Sequence, residues 1–211
     1  MRKKSEILEI MAIFERDNPH PQCELIFHNA YTLLVAVVLS AQATDKSVNK
    51  ATEKLFQIAD TPQKMLDLGL DKLISYIRTI GLFNNKAKNI ITLSNELLRR
   101  FHSEVPCTRE ELESLPGVGR KTANVVLNVW YHQPTLAVDT HVMRISHRLD
   151  FSQGKTPLEV EKDLLKVLPK KYVINANHWL VLFGRYVCKA QKPDCNRCSL
   201  ANFCHCKDKI V

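Results

Sequence analysis

The stretch LPGVGRKTA, residues 115–123, joins two helical patterns through a turn that holds two of the chain's six glycines. Pro116 has no N–H and disfavours helical geometry in the residue before it, so the upstream helix must end there. Gly117 and Gly119 can take positive φ without a Cβ clash. Residues 120–130 then show the apolar spacing of a second helix. The stretch therefore predicts a helix, a tight glycine hairpin and another helix.

The hairpin has the chemistry of a phosphate site. Upstream, Thr108 opens the capping box TREE and predicts a short helix over 109–114. Backbone N–H groups at Gly117 and Gly119 should lie together with the start of the next helix, where Arg120 stands. Such a concavity at the positive end of a helix dipole suits one phosphate of a nucleic acid and positions it without reading bases. A plain helix–helix turn is the alternative interpretation.

The bulk composition favours a folded domain with a polyanionic partner. The 211 residues carry a net charge of +8, a pI near 9.1 and 45% hydrophobic residues. The basic start of the chain is followed by acidic residues rather than by a signal-peptide core. The longest apolar run, 33–39, is too short to span a bilayer. We expect a cytoplasmic protein, and in that compartment seven cysteines favour metal binding or catalysis over disulfides, although the isolated Cys23 and Cys107 are interpreted as structural or incidental.

Helical signals recur along the chain and strand signals are scarce, which predicts an all-α fold. Thr61-Pro62 and Thr156-Pro157 each place a capping residue before proline at a helix start. The predicted helices cover 5–16, 30–40, 45–57, 62–67, 71–79, 85–101, 109–114, 120–130, 140–148, 157–168 and 173–186. After this last helix the pattern gives way to a cysteine-rich end.

Four cysteines near the end follow the spacing C-x6-C-x2-C-x5-C. They are Cys188, Cys195, Cys198 and Cys204. Thiolates this close need a cation or a cluster to offset their repulsion. Zinc usually takes two short cysteine pairs, of which the segment has one, whereas an iron–sulfur cube accepts four ligands from one compact loop. Cys206, two residues further on, is an extra thiol that could compete as the fourth ligand.

The cysteine segment is also basic. Residues 185–211 contain six basic and two acidic side chains, and Lys189 and Lys192 lie between the first two cysteines. A loop pinned by a metal centre can hold such cations against DNA phosphates. A role in electron transfer is the alternative, although the chain has no flavin or dinucleotide fingerprint to accompany it.

Lys121 and Asp139 form a candidate catalytic pair. Lys121 stands at a helix start behind Arg120, and both the helix dipole and this neighbour favour the neutral amine. A neutral lysine is a nucleophile that can form a Schiff base with a sugar carbon. Asp139 precedes the next helix, where a carboxylate can stabilise positive charge on a sugar and help to move protons. Alone, the two residues are also compatible with a surface lysine and an ordinary N-cap.

Taken together, these motifs resemble those of the endonuclease III family, bacterial DNA glycosylases and AP lyases of the helix-hairpin-helix superfamily. The resemblance is carried by LPGVGRKTA, by AVDTH at 137–141 and by the cysteine spacing. It extends to NPHP at 18–21, LSAQATDKSVNKAT at 39–52 and IGLFNNKAKNI at 80–90, and so covers nearly the whole chain.

The resemblance implies roles for these residues. Lys121 is the expected Schiff-base nucleophile and Asp139 the catalytic carboxylate, while the four cysteines would hold a [4Fe-4S] cluster. The implied partner is double-stranded DNA with oxidised or ring-damaged pyrimidines or abasic sites. The expected DNA-binding residues are Gln42, Leu82, Gly117, Gly119, Arg120, Lys189 and Lys192. Gln42 and Leu82 match residues that enter the duplex where the damaged nucleotide leaves it, and Asp45 and His141 match positions that line the lesion pocket.

The implied architecture is two helical lobes with a DNA-binding cleft between them. A six-helix barrel domain with the helix-hairpin-helix would span 22–134, and an iron–sulfur cluster domain would join 1–21 to 135–211. We expect a monomer in the bacterial cytoplasm, associated with the nucleoid.

Two other functions compete with this interpretation. A monofunctional adenine-mismatch glycosylase typically lacks a lysine at the position of Lys121 and carries an extra C-terminal domain. A non-catalytic DNA-binding module would use the hairpin and the metal loop alone, and the presence of Lys121 with Asp139 argues against it.

Overall fold

The computed structural model of the protein describes residues 2–206. Within that range the regular structure is helical and no strand occurs, which confirms the predicted all-α class. The helices are α1 Lys4–Asp17, α2 Ala30–Ser40, α3 Asp45–Ile58, α4 Pro62–Leu68, α5 Leu70–Ile77, α6 Phe83–Phe101, α7 Arg109–Glu113, α8 Arg120–Val129, α9 Thr140–Arg148, α10 Pro157–Val167 and α11 Lys170–Tyr186. Two short 3-10 helices follow at Cys195–Arg197 and Ala201–Phe203. Lys207, Asp208 and Lys209 of the predicted basic end lie outside the described residues.

The helices begin where the sequence supplies caps. The side chains of Thr61, Thr108 and Thr156 each accept a hydrogen bond from a backbone N–H in the first turn of α4, α7 and α10. Proline occupies the first turn of α4 and of α10, where its missing N–H costs nothing. These local choices explain why the predicted and observed bounds agree closely.

The described residues fall into two compact units. One is the continuous segment Cys23–His132, and the other joins the residues before Cys23 to those after His132. The assignment of a six-helix barrel and an iron–sulfur domain to 22–134 and to 1–21 with 135–211 stays a prediction.

The continuous unit is built around α2. Every residue of this helix from Tyr31 to Leu39 is buried. Helices α3, α6 and α8 all pack against α2, so that an apolar helix is covered on all sides. Asn29 caps α2 by accepting a hydrogen bond from the backbone N–H of Thr32. The resulting core supports the hairpin, because α7 and α8 pack against each other.

The discontinuous unit is held together by aromatic packing and by the pairing of α9 with α11. Phe14 of α1 stacks on Trp179 of α11 with their rings 6.1 Å apart. The Trp179 indole Nε1 donates a hydrogen bond of 2.7 Å to the carbonyl of Asn18. Gly184 lets α11 approach α9 closely, because a Cβ there would lie 3.0 Å from Cβ of His141. The first and last parts of the chain thus share one core.

Within the described part of the chain, no helix combines the length and the apolar character needed to cross a membrane.

Candidate functional site

The helix-hairpin-helix forms as the sequence predicts. Thr108 caps α7, and the Arg109 guanidinium at the start of α7 donates a hydrogen bond of 3.0 Å to Oδ1 of Asn124 in α8. The buried side chains of Leu112, Leu115 and Val118 anchor the helix end and the turn to the core. The hairpin backbone is therefore anchored on its core side, while Gly117 and Gly119 are exposed on its other side.

The two glycines of the hairpin serve different purposes. Gly117 has φ +79°, in the left-handed region, and a Cβ there would lie 2.8 Å from Nδ2 of Asn89. Gly119 has φ −101° and is the N-cap of α8, and a Cβ added there would meet nothing within 4 Å. The left-handed backbone at residue 117 thus requires a glycine. Gly119, by contrast, places no side chain over the first backbone N–H groups of α8. Both glycines lie at the surface beside the exposed Arg120.

Lys121 is exposed in the first turn of α8. Its amine lies at the positive end of the helix dipole, directly behind the hairpin. This is the placement on which the catalytic prediction depends.

Asp139 is the N-cap of α9. Its Oδ1 accepts a hydrogen bond of 2.8 Å from the backbone N–H of Val142. The N-cap interpretation is therefore correct, and the same bond orients a carboxylate at a helix mouth. His141 lies two residues on, and its Nδ1 is 3.2 Å from a guanidinium nitrogen of Arg144.

Lys121 belongs to the continuous unit and Asp139 to the discontinuous unit. Lys121 lies in the first turn of α8 and Asp139 caps α9. That both act on one deoxyribose stays a prediction.

Gln42 and Leu82 share an unusual backbone. Gln42 lies just beyond the end of α2 with φ 55°, and Leu82 precedes α6 with φ 58°. Left-handed geometry is uncommon for residues other than glycine and is concentrated at functional sites. Leu82 is also 61% exposed, so its side chain lies outside the core. Asp45 begins α3, directly after the N-cap Thr44.

The four cysteines surround one cavity. Cys188, Cys195, Cys198 and Cys204 all line it, together with apolar residues of the same segment such as Val187 and Ala201. Burial raises the pKa of the thiols of Cys188 and Cys198. Because burial disfavours the thiolate form, thiolates at these positions need a positive partner. A metal centre bound by the four sulfur atoms would supply that positive charge. Among the described residues, no three potential ligands already converge on a point that would hold a single metal ion.

Two arginines of α9 hold the start of the cysteine segment. Arg144 donates hydrogen bonds to the carbonyls of Gly184 at 2.7 Å and Cys188 at 3.2 Å. Arg148 donates to Sγ of Cys188 at 3.2 Å and to the carbonyl of Lys189 at 2.7 Å. Sequence reasoning missed both residues. The sequence feature that could have revealed them is that Arg144 and Arg148 are four residues apart in α9, the helix that Asp139 caps. This spacing places both side chains on one face of the helix.

The other end of the segment is held by Arg2. Its Nε donates a hydrogen bond of 2.8 Å to the carbonyl of Leu149, and its Nη2 donates to the carbonyl of Phe203. The Arg2 side chain is 2% exposed, and both of these hydrogen bonds are part-buried. Phe203 directly precedes Cys204, and the N-terminal residues therefore help to place the fourth thiol.

Lys189 and Lys192 are exposed on the loop between Cys188 and Cys195. Lys192 has a left-handed φ of 49°. Arg148 fixes the carbonyl of Lys189, and the backbone N–H of Asp194 closes the loop onto the carbonyl of Val187 at 3.0 Å. The two ammonium groups are thus presented by a constrained loop.

Comparison with known proteins agrees with these features. Residues 35–170 match the HhH-GPD superfamily of base excision DNA repair proteins, which is the class that the hairpin and the all-helical fold define. The chain is 56% identical to endonuclease III of Treponema pallidum, covering 95% of this chain and 96% of the relative. It is 54% identical to endonuclease III of Haemophilus influenzae, covering 98% of each chain.

The structural comparison points to the same family. A solved structure of a trapped covalent endonuclease III–DNA intermediate superimposes with a TM-score of 0.91, at 46% identity and 97% coverage of both chains. The chain belongs to the endonuclease III family. This confirms the predicted class, a base excision repair enzyme with DNA glycosylase and AP lyase activity.

Proposed function

We propose that this protein removes oxidised or ring-damaged pyrimidines from duplex DNA and then nicks the strand 3′ of the abasic site. The observation that carries the proposal is the exposed Lys121 in the first turn of α8, directly behind the Gly117 hairpin, in a chain of the endonuclease III family. The similar endonuclease III of known structure was trapped as a covalent intermediate with DNA, which requires a nucleophile on the enzyme. Lys121 is the nucleophile proposed for this chain.

The first step is displacement of the damaged base. The neutral amine of Lys121 attacks C1′ of the extruded deoxyribose while the bond from C1′ to the base breaks. The base leaves with the bonding electrons and takes up a proton. The new amine loses a proton, and the bond from C1′ to O4′ then breaks as O4′ takes up a proton. This opens the ring and gives a Schiff base between Lys121 and C1′.

The second step cuts the strand. The Schiff base acidifies the C2′ hydrogen, and loss of that proton to water expels the 3′ phosphate by breaking the bond from C3′ to oxygen. Hydrolysis of the Schiff base then frees the amine of Lys121. No hydrolysis of a phosphodiester is needed for this nick.

Asp139 supports the first step in two ways. Positive charge builds on the sugar as the base departs, and a carboxylate near the sugar stabilises it. The carboxylate also accepts the proton that the amine loses. Its hydrogen bond from the backbone N–H of Val142 fixes the direction of the carboxylate before the substrate arrives.

Gln42 and Leu82 are the side chains proposed to fill the space that the extruded nucleotide leaves. Base extrusion costs a few kcal/mol of stacking and pairing, least for a damaged base. An exposed Leu82 on a left-handed turn offers an apolar wedge, and Gln42 offers an amide that can pair with the base opposite. Asp45 and His141 are proposed to line the pocket that receives the lesion.

The DNA backbone is proposed to be held at two places. The hairpin at Gly117, Gly119 and Arg120 offers backbone N–H groups and one guanidinium to a phosphate. Lys189 and Lys192 offer two more positive charges from the cysteine segment. Such contacts supply most of the affinity and make it depend on salt.

The cysteine cavity fits a [4Fe-4S] cluster, with Cys188, Cys195, Cys198 and Cys204 as ligands. Four thiols around one cavity can each take one iron corner of a cube, and the Arg148 guanidinium near Cys188 Sγ offsets the negative charge of the thiolates. A bound cluster would cross-link the segment at four points and so hold Lys189 and Lys192 in place.

Borohydride trapping tests the proposed function. Incubating the protein with a duplex that carries one oxidised pyrimidine and then reducing it should yield a covalent complex, which Lys121→Gln abolishes. The same variant should lose strand cleavage by at least about a thousandfold. Base release and nicking are scored separately, without added base or heat.

The two competing functions give other results in this assay. A monofunctional glycosylase releases the base but leaves the strand intact until base or heat is added. A non-catalytic module binds the damaged duplex and turns nothing over. Trapping that survives Lys121→Gln would assign the reaction to a different amine.

A further inference from the structure

Lys86 is a buried lysine that the mechanism does not use. It lies in the first turn of α6 with 6% exposure, in the core of the continuous unit. Lysine is almost never buried this deeply without partners, because the ammonium loses its hydration. Burial accordingly lowers the pKa of Lys86. The partners that offset this cost show what the residue does.

Both partners of the ammonium belong to the end of α2. Lys86 Nζ donates hydrogen bonds of 2.9 Å to the carbonyl of Leu39 and 2.6 Å to the carbonyl of Ala41. The last carbonyls of a helix have no donor within it, and positive charge is favoured at that end. Lys86 therefore caps α2 from another helix. Gln42, with its left-handed backbone, is the next residue after Ala41.

The main chain of Lys86 reaches the second left-handed turn. Its backbone N–H donates a hydrogen bond of 3.1 Å to the carbonyl of Leu82, which closes the first turn of α6. One residue is thus bonded to the segments that present Gln42 and Leu82. Left-handed non-glycine residues are strained and persist only where neighbouring contacts fix them.

We propose that Lys86 is a positioning residue, which ties the turn of Gln42 to the turn of Leu82 and holds the two side chains at one spacing before DNA arrives. The inference rests on the proposed function, in which these two side chains enter the duplex. If both turns are already ordered in the free protein, DNA binding does not lose the conformational entropy that ordering them would otherwise cost. If the spacing between the Gln42 and Leu82 side chains were distorted, the protein would bind damaged duplex less tightly. Its contacts to the DNA backbone, which any duplex offers, would stay intact.

The test compares Lys86→Met with a matched stability control, Ser94→Ala. Ser94 is buried in the same helix and bonded to the Tyr31 hydroxyl at 2.6 Å, so its loss weakens the core without touching either turn. The probes are a duplex with one tetrahydrofuran abasic analogue and the same duplex without it. Extrusion is followed by the fluorescence of 2-aminopurine placed opposite the analogue.

The expected result is a selective loss. Lys86→Met should weaken binding of the analogue duplex about tenfold and binding of the undamaged duplex less than about twofold, with a smaller fluorescence rise. Ser94→Ala should leave the ratio of the two affinities unchanged. In a Gln42→Ala, Leu82→Ala background, Lys86→Met should add less than about a further twofold, because the side chains it positions are gone.

Three results would overturn the inference. They are an equal loss on both duplexes, a loss that Ser94→Ala reproduces, and a loss that persists undiminished in the double-variant background. If Lys86→Met does not fold, Lys86→Arg carries the same comparisons, since it keeps the charge but not the fit to two carbonyls. Failure of the proposed function looks different, because the unaltered protein would then show no preference for the analogue duplex and no trapping.

Discussion

Gly117 and Asn89 are in such close contact that no side chain fits between them. A Cβ at Gly117 would lie 2.8 Å from Nδ2 and 2.9 Å from Cβ of Asn89, and the glycine has φ +79°. Asn89 belongs to α6, so the hairpin rests directly on the helix that Leu82 precedes. The turn is therefore part of the packing of the continuous unit as well as the proposed phosphate site.

Replacing Gly117 by alanine should destabilise the protein by about 2–3 kcal/mol. The left-handed backbone costs an alanine about 1–2 kcal/mol, and the clash with Asn89 adds to it. Gly119→Ala is the matched control, because its φ of −101° is ordinary and its Cβ meets nothing within 4 Å. Thermal unfolding of the two variants measures the difference. Equal unfolding temperatures would contradict the assignment of distinct roles to the two glycines.

Asp139→Asn should lower the rate of base release by about a hundredfold or more, because it removes the carboxylate charge that is proposed to stabilise the sugar. The amide oxygen still caps α9 in place of Oδ1, so the unfolding temperature should change little. Single-turnover kinetics on a damaged duplex provide the measurement. A large loss of stability with normal turnover would show that Asp139 is only a helix cap.

Removing the arginine that contacts the first cysteine should loosen the cysteine segment. Arg148→Met loses the hydrogen bonds to Cys188 Sγ and to the carbonyl of Lys189. Partners of metal ligands typically affect metal retention by one or two orders of magnitude, so we expect the visible absorption of the proposed cluster to be lost about tenfold faster under chelator. Lys166→Met, on the surface of α10, is the control. Unchanged retention in Arg148→Met would remove this arginine from the support of the site.

The two lysines of the cysteine loop should contribute phosphate contacts. Replacing Lys189 and Lys192 by glutamine should weaken binding to every duplex alike and flatten the dependence of log affinity on log salt by about 0.9 per lysine. Lys166→Gln, in the last turn of α10, should leave the slope unchanged. Titrations at several salt concentrations give the slopes. A change in lesion preference without a change in slope would point to a role at the lesion instead.

His178 should make stability depend on pH. Burial lowers the pKa of this imidazole below its ordinary value of 6.5, so the folded protein binds the proton less readily than the unfolded chain does. The stability that the neutral imidazole of His178 contributes is therefore fully present above the pKa of the unfolded chain. It is lost as the pH falls below that pKa. His178→Gln should reduce the drop in unfolding temperature between about pH 7.5 and about pH 5.5. Replacing the exposed His20 by glutamine is the control, and an equal drop in both variants would contradict the prediction.

The sequence predicted the helices well because their ends are marked locally. Thr61, Thr108, Thr156 and Asp139 all cap the helices that they were expected to begin. Caps and apolar periodicity depend on neighbours within one or two turns, and these are visible in a linear string. The cysteine cavity was also predictable, since a short loop forces its thiols together.

Contacts across long stretches of chain could not be predicted in this way. Nothing local marks Lys86 as buried, because its partners lie more than forty residues upstream. The same is true of Arg148 and Cys188, and of Arg2, whose acceptors are far along the chain. The left-handed backbone at Gln42 and Leu82 could not be predicted from the sequence either, because neither glutamine nor leucine favours this geometry.

The bonds from Arg2 to the carbonyls of Leu149 and Phe203 have a consequence for biosynthesis. Residues 23–132 leave the ribosome as one uninterrupted stretch with its own core, and that half can mature while translation continues. The half that encloses the thiols must wait until Phe203 has been synthesised before Arg2 meets both acceptors. The hairpin can therefore fold before the cysteine segment closes, and loading of the proposed cluster would be a late step in the synthesis of the protein.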